Sequence, residues 1–284
     1  MARAIKRKKK FKVAPWIWFL VALLLAAFFA MPFVYMLLMS LMKDSNEIMK
    51  YPPRLFSDSL YFSNFLGAWE EINFGQKLLN TILLTIGTMG IGISASVIIA
   101  YGFARFHSKA KNALFMVLLS TMMIPWVVTM IPAYAEYEWL GWIGTYLPFL
   151  IPWIGGSAFN IFMLRQFMEE IPKELDEAAE IDGCNSFQTL IFIILPQMKP
   201  ILATLAVFSF INSWSDYLGP SIYLQGAREL WTLSLGMEEF FSSTGDANWA
   251  YVMAASVMFA IPMVIVISVA QKAFVRGITT TGIK

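Results

Sequence analysis

The chain has 284 residues, of which 58% are hydrophobic and only 14% are charged, and its formal net charge is +2. Together with a mean hydropathy of +0.63, this composition excludes an ordinary soluble domain and indicates a protein that crosses a membrane several times. A single histidine and a single cysteine exclude an intrachain disulfide and a His/Cys metal site.

Uncharged segments predict six membrane-spanning helices, because each is long enough to cross the hydrocarbon core of a bilayer, which takes about 20 residues. A basic segment, residues 1–12, precedes the first span, which is too long for the apolar part of a cleaved signal peptide. The transmembrane domain covers residues 13–275, and residues 276–284 form a C-terminal tail. The predicted spans are about 15–42, 78–104, 112–133, 141–165, 200–224 and 248–272.

Lys and Arg predict the orientation, since they gather on the cytoplasmic side of membrane proteins. Sixteen of them fall on the side of the two termini and five on the other side, so both termini are expected in the cytoplasm. Residues 183–198 are also uncharged, but their apolar core is too short for a span. A seventh span there would also reverse the side of the basic tail.

The segment between the fourth and fifth spans, residues 168–196, is acidic on the side where basic residues normally gather. Acids in a first helical turn followed by Gly183 predict a short helix with a left-handed stop. Asn185 or Ser186 can then cap a second short helix. One narrow face of the first helix carries Leu175, Ala178, Ala179 and Asp182. Two interpretations remain open: a solvated connector, or a helix that docks in a groove of a second protein.

The stretch EAAEIDGCNSFQTLIFIILP resembles the EAA loop of ATP-binding-cassette importer permeases. In that family the loop is a coupling helix that sits in a cleft of the ATPase subunit. The resemblance therefore implies docking by Glu177 to Ala179 and a bend at Gly183. The ATPase-coupling residues that it identifies are Glu177, Ala178, Ala179, Asp182, Gly183, Leu195 and Pro196.

Other segments, such as INSWSDYLGPSIYL and LWTLSLGMEEF, resemble the carbohydrate branch of these permeases, the maltose-type importers. The tail differs slightly, because it reads Thr-Thr-Thr where relatives often have a Thr-Ala-Gly-like run. The resemblance implies a bacterial or archaeal plasma membrane protein with a carbohydrate substrate. Its implied partners are a dimer of cytoplasmic ATP-binding subunits, a second and different permease subunit, and an extracytoplasmic solute-binding protein.

No G-x-x-x-x-G-K-[ST] loop is present, so the chain is not expected to be an ATPase or to hold a cofactor. ATP and Mg²⁺ are expected on the partner ATPase. The basic N-terminus predicts contact with membrane lipid, and nothing predicts nucleic-acid binding.

Polar side chains within spans cost free energy unless they face a cavity or a partner, which makes them candidates for the substrate path. These candidates are Asn160, Asn212, Trp214 and Asp216. Each also has a structural explanation, since Asn can bond across helices, Trp is common at membrane interfaces and Asp216 can lie at the outer water boundary.

These observations favour import by alternating access, in which the ATPases move the coupling loop and thereby the fifth span. An importer of the same class for a peptide or a polyamine is the nearest alternative. An ion-coupled secondary transporter needs an ionisable site at mid-membrane, for which Asp216 alone is a weak candidate.

Overall fold

The structure is a computed structural model that describes residues 13–43, 59–241 and 248–281, with side chains over 16–43, 59–241 and 248–271. Within these ranges the regular structure is entirely helical. The helices are α1 (Val13–Ser40), α2 (Ser63–Glu71), α3 (Phe74–Arg105), α4 (Lys111–Thr121), α5 (Trp126–Trp139), α6 (Leu147–Leu150), α7 (Ala158–Glu170), α8 (Glu174–Ile181), α9 (Ser186–Gln197), α10 (Lys199–Trp214), α11 (Leu218–Tyr223), α12 (Leu233–Gly236) and α13 (Trp249–Thr281). The basic segment 1–12, used to predict orientation, lies outside the described residues.

Four helical segments of the described chain are long and apolar enough to cross a membrane, and two bent pairs raise the number to six. The pair α4 and α5 meets at 95°, and the pair α9 and α10 meets at 83°. Pro125 precedes α5 with an extended ψ of 134°, and a proline has no N–H to continue the helix of α4. The predicted all-α polytopic fold is confirmed.

Three predicted spans have different boundaries in the structure, and the third, predicted over 112–133, is the bent pair Lys111–Thr121 and Trp126–Trp139. The fourth, predicted over 141–165, is an apolar helical segment over Leu147–Glu170. The fifth, predicted over 200–224, ends earlier, because α10 stops at Trp214 and the chain continues as the short α11. Between them the Asp216 carboxylate accepts a hydrogen bond from the Gly219 N–H at 3.0 Å. Such a local side-chain bond offers the backbone an alternative to continued helix.

By its contacts the chain divides into two compact units, residues 1–68 with 247–257 and residues 69–246 with 258–284. In the first unit α1 is apolar all round, and an 18-residue window of it has no buried residue, as expected of a helix that faces lipid. Its C-terminal end is fixed by Asn64, whose Nδ2 donates to the carbonyls of Ser40 at 2.9 Å and Met42 at 2.7 Å. These bonds satisfy carbonyls that a helix end leaves without partners.

The second unit is built around α3, which packs along α7 and α10. Its core lies towards the C-terminal half of α3 and includes Ala100, Ile161, Leu164, Ile194 and Leu205. Near the middle of α3, a Cβ placed on Gly92 would lie 2.8 Å from the Trp153 ring. Only glycine therefore lets the indole pack directly against the helix backbone.

The segment that follows α11 folds back onto the start of α3. The Asn80 amide donates to the carbonyls of Glu229 at 2.8 Å and Trp231 at 3.0 Å, and Thr81 Oγ1 accepts from the Leu233 N–H at 2.7 Å. Lys77 is buried below this segment and pairs with Glu239 at 2.9 Å. Polar side chains in the first turns of α3 therefore hold the segment that follows α11 in place.

Candidate functional site

The predicted coupling segment folds as two short helices that meet near a glycine. Helix α8 carries three acids in its first turn, where they favour the positive end of the helix dipole. Gly183 follows with φ +84°, a left-handed conformation that a side chain disfavours. Asn185 then caps α9 through a reciprocal pair of bonds with Gln188, both at 2.9 Å. The predicted second cap is therefore Asn185 rather than Ser186.

An ion pair connects α8 to the end of α3. Arg105 Nε lies 3.0 Å from Asp176 Oδ2, and Arg105 Nη2 donates to the Ile171 carbonyl at 3.0 Å. The Arg105 side chain is only 7% exposed, so the pair is screened little by water. This guanidinium fixes both α8 and the turn that precedes it to the second predicted span.

The exposure of α8 divides the predicted docking residues into two groups. Glu177, Ala178 and Asp182 are exposed. Ala179 is 3% exposed because residues of its own chain cover it, so its side chain does not contribute to the free surface of α8. Ile181, by contrast, is 87% exposed although it is strongly apolar. The free surface of α8 thus consists of one apolar side chain surrounded by carboxylates. The sequence did not identify Ile181 as part of this surface.

Helix α9 carries the last two of the predicted ATPase-coupling residues, Leu195 and Pro196. It contains a π-helical turn over Thr189–Ile194, a rare form that often occurs at functional sites. Leu195 is partly buried and packs on the core beside Ile194, while Pro196 is exposed in the last turn. The 83° bend into α10 follows directly, with only Met198 between the two helices. Helix α9 is too short to be a span of its own, as predicted.

A cavity of about 250 Å³ lies among α3, α7 and α10 and the turn before α7. Its polar lining residues are Thr88, Ser157, Asn160, Ser209, Asn212, Ser213 and Asp216. Its aromatic lining residues are Phe149, Trp153, Phe159 and Phe208. Aromatic faces combined with hydroxyl and amide groups suit a ligand that has both apolar faces and hydroxyl groups, which is the chemistry of a sugar ring.

The structure brings together three of the four residues predicted for the substrate path. Asn160 comes from α7, Asn212 from α10 and Asp216 from the break after α10, and all three line the cavity. Trp214 does not, because its side chain points away and is 2% exposed. Its Nε1 donates to the Phe259 carbonyl at 3.2 Å, and its ring stacks on Phe210 at 5.2 Å. Its ring therefore offers no open face for the predicted stacking on a sugar.

Hydrogen bonds from α3 position two walls of the cavity. Thr88 Oγ1 donates to Ser213 Oγ at 3.0 Å, which ties α3 to α10. Ser96 Oγ accepts from the Ser157 N–H at 3.0 Å, which ties α3 to the start of α7. Thr88 and the aromatic lining residues were not predicted, because a single hydroxyl or aromatic side chain in an apolar span gives no signal of which way it points.

Residues 92–280 match the family described as binding-protein-dependent transport system inner membrane component. The chain belongs to this permease family. Among similar proteins, the permease resembles the melibiose/raffinose/stachyose import permease MelC of Bacillus subtilis, with 31% identity over 93% of this chain and 95% of MelC. It also resembles the sn-glycerol-3-phosphate transport system permease UgpE of Pectobacterium atrosepticum, with 30% identity over 83% of this chain and 85% of UgpE.

The permease also shares its fold with a chain of a bacterial ABC transporter that imports the acidic polysaccharide alginate. The TM-score is 0.78 and the sequence identity is 22%, with 95% of this permease and 100% of the other chain covered. The predicted identity as an inner-membrane transport subunit is confirmed by the family and by these relatives.

Proposed function

We propose that the chain is the permease subunit of an ATP-driven importer that moves a neutral oligosaccharide by alternating access. The observation that carries the proposal is the cavity, because its walls come from the same helices that hold the coupling segment. Asn212 lies on α10, which follows α9 after one bend, while Thr88 lies on α3, which Arg105 connects to α8. Movement of α8 is therefore transmitted to two cavity walls.

The charge of the cavity favours a neutral ligand. Of the described residues that line it, Asp216 is the one with a charged side chain, and none is a Lys or Arg that could balance an anionic ligand. A phosphate ester or a uronate would be repelled by this carboxylate. Only one carboxylate, that of Asp216, could pair with the several ammonium groups of a polyamine. The hydroxyl and amide groups of the lining can instead form hydrogen bonds with sugar hydroxyls. The charge of the lining and the similarity to MelC support a neutral oligosaccharide rather than the solutes named for UgpE and the alginate transporter.

The partners of the chain are part of the proposal. Family membership implies a solute-binding protein. The exposed surface of α8, defined by Glu177, Ala178, Ile181 and Asp182, suits the cleft of a cytoplasmic ATPase that offers an apolar contact rimmed by Arg. ATP and Mg²⁺ would be held there and not by this chain. A second, different permease subunit would complete the pathway, and both termini would face the cytoplasm of a bacterial or archaeal cell.

Affinity purification from the native membrane tests the proposal. The mildly solubilised chain should bring down an ATPase, a second permease and a solute-binding protein, identified by mass spectrometry. The binding protein should then retain a neutral oligosaccharide and release it when an excess of the same sugar is added. A binding protein that retains a peptide, a polyamine or an anionic sugar would contradict the substrate class, and a chain that remains alone after crosslinking would contradict the importer.

A further inference from the structure

A basic recess lies at the turn between α3 and α4. Its volume is about 530 Å³, and its lining residues are His107, Ser108, Lys109, Lys111, Asn112 and Arg165. Among the residues that the structure describes, no acidic side chain lines it. Lys109 and Lys111 form no ion pair with any residue that the structure describes. Its two lysines thus carry a positive charge without an ion-pair partner in the described part of the chain, at the end of a predicted membrane helix, whereas Arg165 is paired with Glu169.

One wall of this recess is rigid. The Arg165 guanidinium lies 3.8 Å from the centroid of the buried Phe115 ring and 2.9 Å from a Glu169 carboxylate oxygen. Both contacts hold the arginine in one orientation, so its guanidinium is preorganised for a ligand. The cationic surface of the recess therefore includes one fixed guanidinium, that of Arg165, in addition to two lysine side chains.

An apolar groove continues from the recess along α3 and α4. Its volume is about 230 Å³, and its lining residues are Ile99, Gly102, Phe103, Phe106, Ser108, Lys111 and Leu114. Ser108 and Lys111 line both cavities, so recess and groove are neighbours. Gly102 forms part of the groove floor, and a Cβ placed on it would meet no atom within 4 Å. Open space therefore lies over this position, and a large side chain there would project into the groove.

We infer that the recess and groove together bind one anionic phospholipid, with its phosphate among Lys109, Lys111 and Arg165 and an acyl chain along Gly102. Charge complementarity selects an anionic headgroup, since basic pockets at membrane interfaces bind such lipids. The groove selects a lipid over a free phosphate, because a soluble phosphate would leave the apolar surface uncovered. This inference does not depend on the transported substrate.

Native mass spectrometry of the purified complex tests the inference. The complex is delipidated in detergent and titrated with phosphatidylglycerol, with phosphatidylcholine and with soluble glycerol phosphate. Lys111→Gln should weaken phosphatidylglycerol binding about fivefold, the effect of one basic residue near an anionic lipid surface. Lys199→Gln, which removes an exposed lysine that lines neither cavity, should leave binding unchanged.

A second pair of variants tests the acyl chain. Gly102→Leu should fill the groove and lower phosphatidylglycerol occupancy without loss of thermal stability, whereas Gly90→Leu, at another open position on α3, should not change occupancy. Equal binding of phosphatidylcholine, or an unchanged affinity in Lys111→Gln, would overturn the inference. Displacement of the lipid by glycerol phosphate with no effect of Gly102→Leu would assign a phosphate site instead of a lipid site, and would also overturn it.

Discussion

Arg105 and Asp176 form an ion pair at 3.0 Å that joins the last residue of α3 to the first turn of α8. The two residues are far apart in sequence, yet the pair connects a long apolar helix to the short acidic helix that carries the EAA motif. Because Arg105 also holds the Ile171 carbonyl, it fixes the whole turn between α7 and α8. Force applied to α8 therefore reaches α3 directly as well as reaching α10 through α9.

Loss of one partner of this pair should impair coupling more than loss of both. Arg105→Gln or Asp176→Asn leaves one partly buried charge without its partner, which costs about 1–3 kcal/mol. We expect each single variant to lower sugar uptake at least tenfold while the double variant recovers part of it. Uptake and ATP hydrolysis measured in proteoliposomes, with the exposed Arg228→Gln as control, check this outcome. Additive losses in the double variant would show that the two residues act separately.

The left-handed backbone at Gly183 should be sensitive to any side chain. A Cβ there meets no atom within 4 Å, so the cost is conformational rather than steric contact. Gly183→Val is expected to cost about 1–2 kcal/mol and to reduce uptake strongly at a normal membrane level, and Gly183→Asn should have a weaker effect. Gly141→Val imposes a similar strain at φ +69° in an equally open position outside the coupling segment, and should keep uptake. Equal uptake in Gly183→Val and the parent would contradict the role of the bend.

The cavity predicts different results for two neighbouring residues on α10. Asn212 lines the cavity, so Asn212→Leu should lower the uptake rate at saturating, sugar-loaded binding protein about tenfold, the effect of one lost hydrogen bond to the substrate. Trp214→Phe removes the bond to the Phe259 carbonyl and part of a buried ring, and should lower the free energy of unfolding by about 1–3 kcal/mol with little change in uptake rate. A larger transport defect in Trp214→Phe than in Asn212→Leu would instead indicate a sugar contact at Trp214.

Asn80 should control the stability of the segment that follows α11. Its amide is the donor to two carbonyls, those of Glu229 and Trp231, and both would lose this partner in Asn80→Ala. We expect a loss of about 1–3 kcal/mol in the free energy of unfolding, seen as a lower Tm of the complex in detergent. Gln166→Ala, at an exposed position that lines neither the recess nor the cavity, serves as control. An unchanged Tm in Asn80→Ala would show that the segment is held by other contacts.

Local features of the coupling segment could be predicted from the sequence, because they depend on neighbours along the chain. Acids in the first turn of α8, the glycine stop at Gly183 and a cap at Asn185 all require only short-range rules. The partner of Arg105 could not be predicted, since the contact depends on how α3 and α8 meet in space.

The sequence also could not predict which way side chains point within the apolar helices. Asn160 and Asn212 were singled out as polar residues, but no pattern distinguishes the cavity side of α10 from the side on which Trp214 is buried. The break after Trp214 was missed for a similar reason. Hydropathy averages over the residues near Asp216 and does not detect a single bond from Gly219 that ends the helix.

Site-directed crosslinking at Ile181 tests the central claim, that the exposed surface of α8 docks on an ATPase. The single cysteine, Cys184, is first replaced by Ser, and the cysteine of Ile181→Cys is then treated with a short crosslinker in the active complex. We predict a product between the chain and the ATPase, and none from Trp139→Cys, whose side chain is nearly as exposed at 84%. A complex that takes up sugar but gives no Ile181 product, or gives one only from Trp139→Cys, would contradict the account.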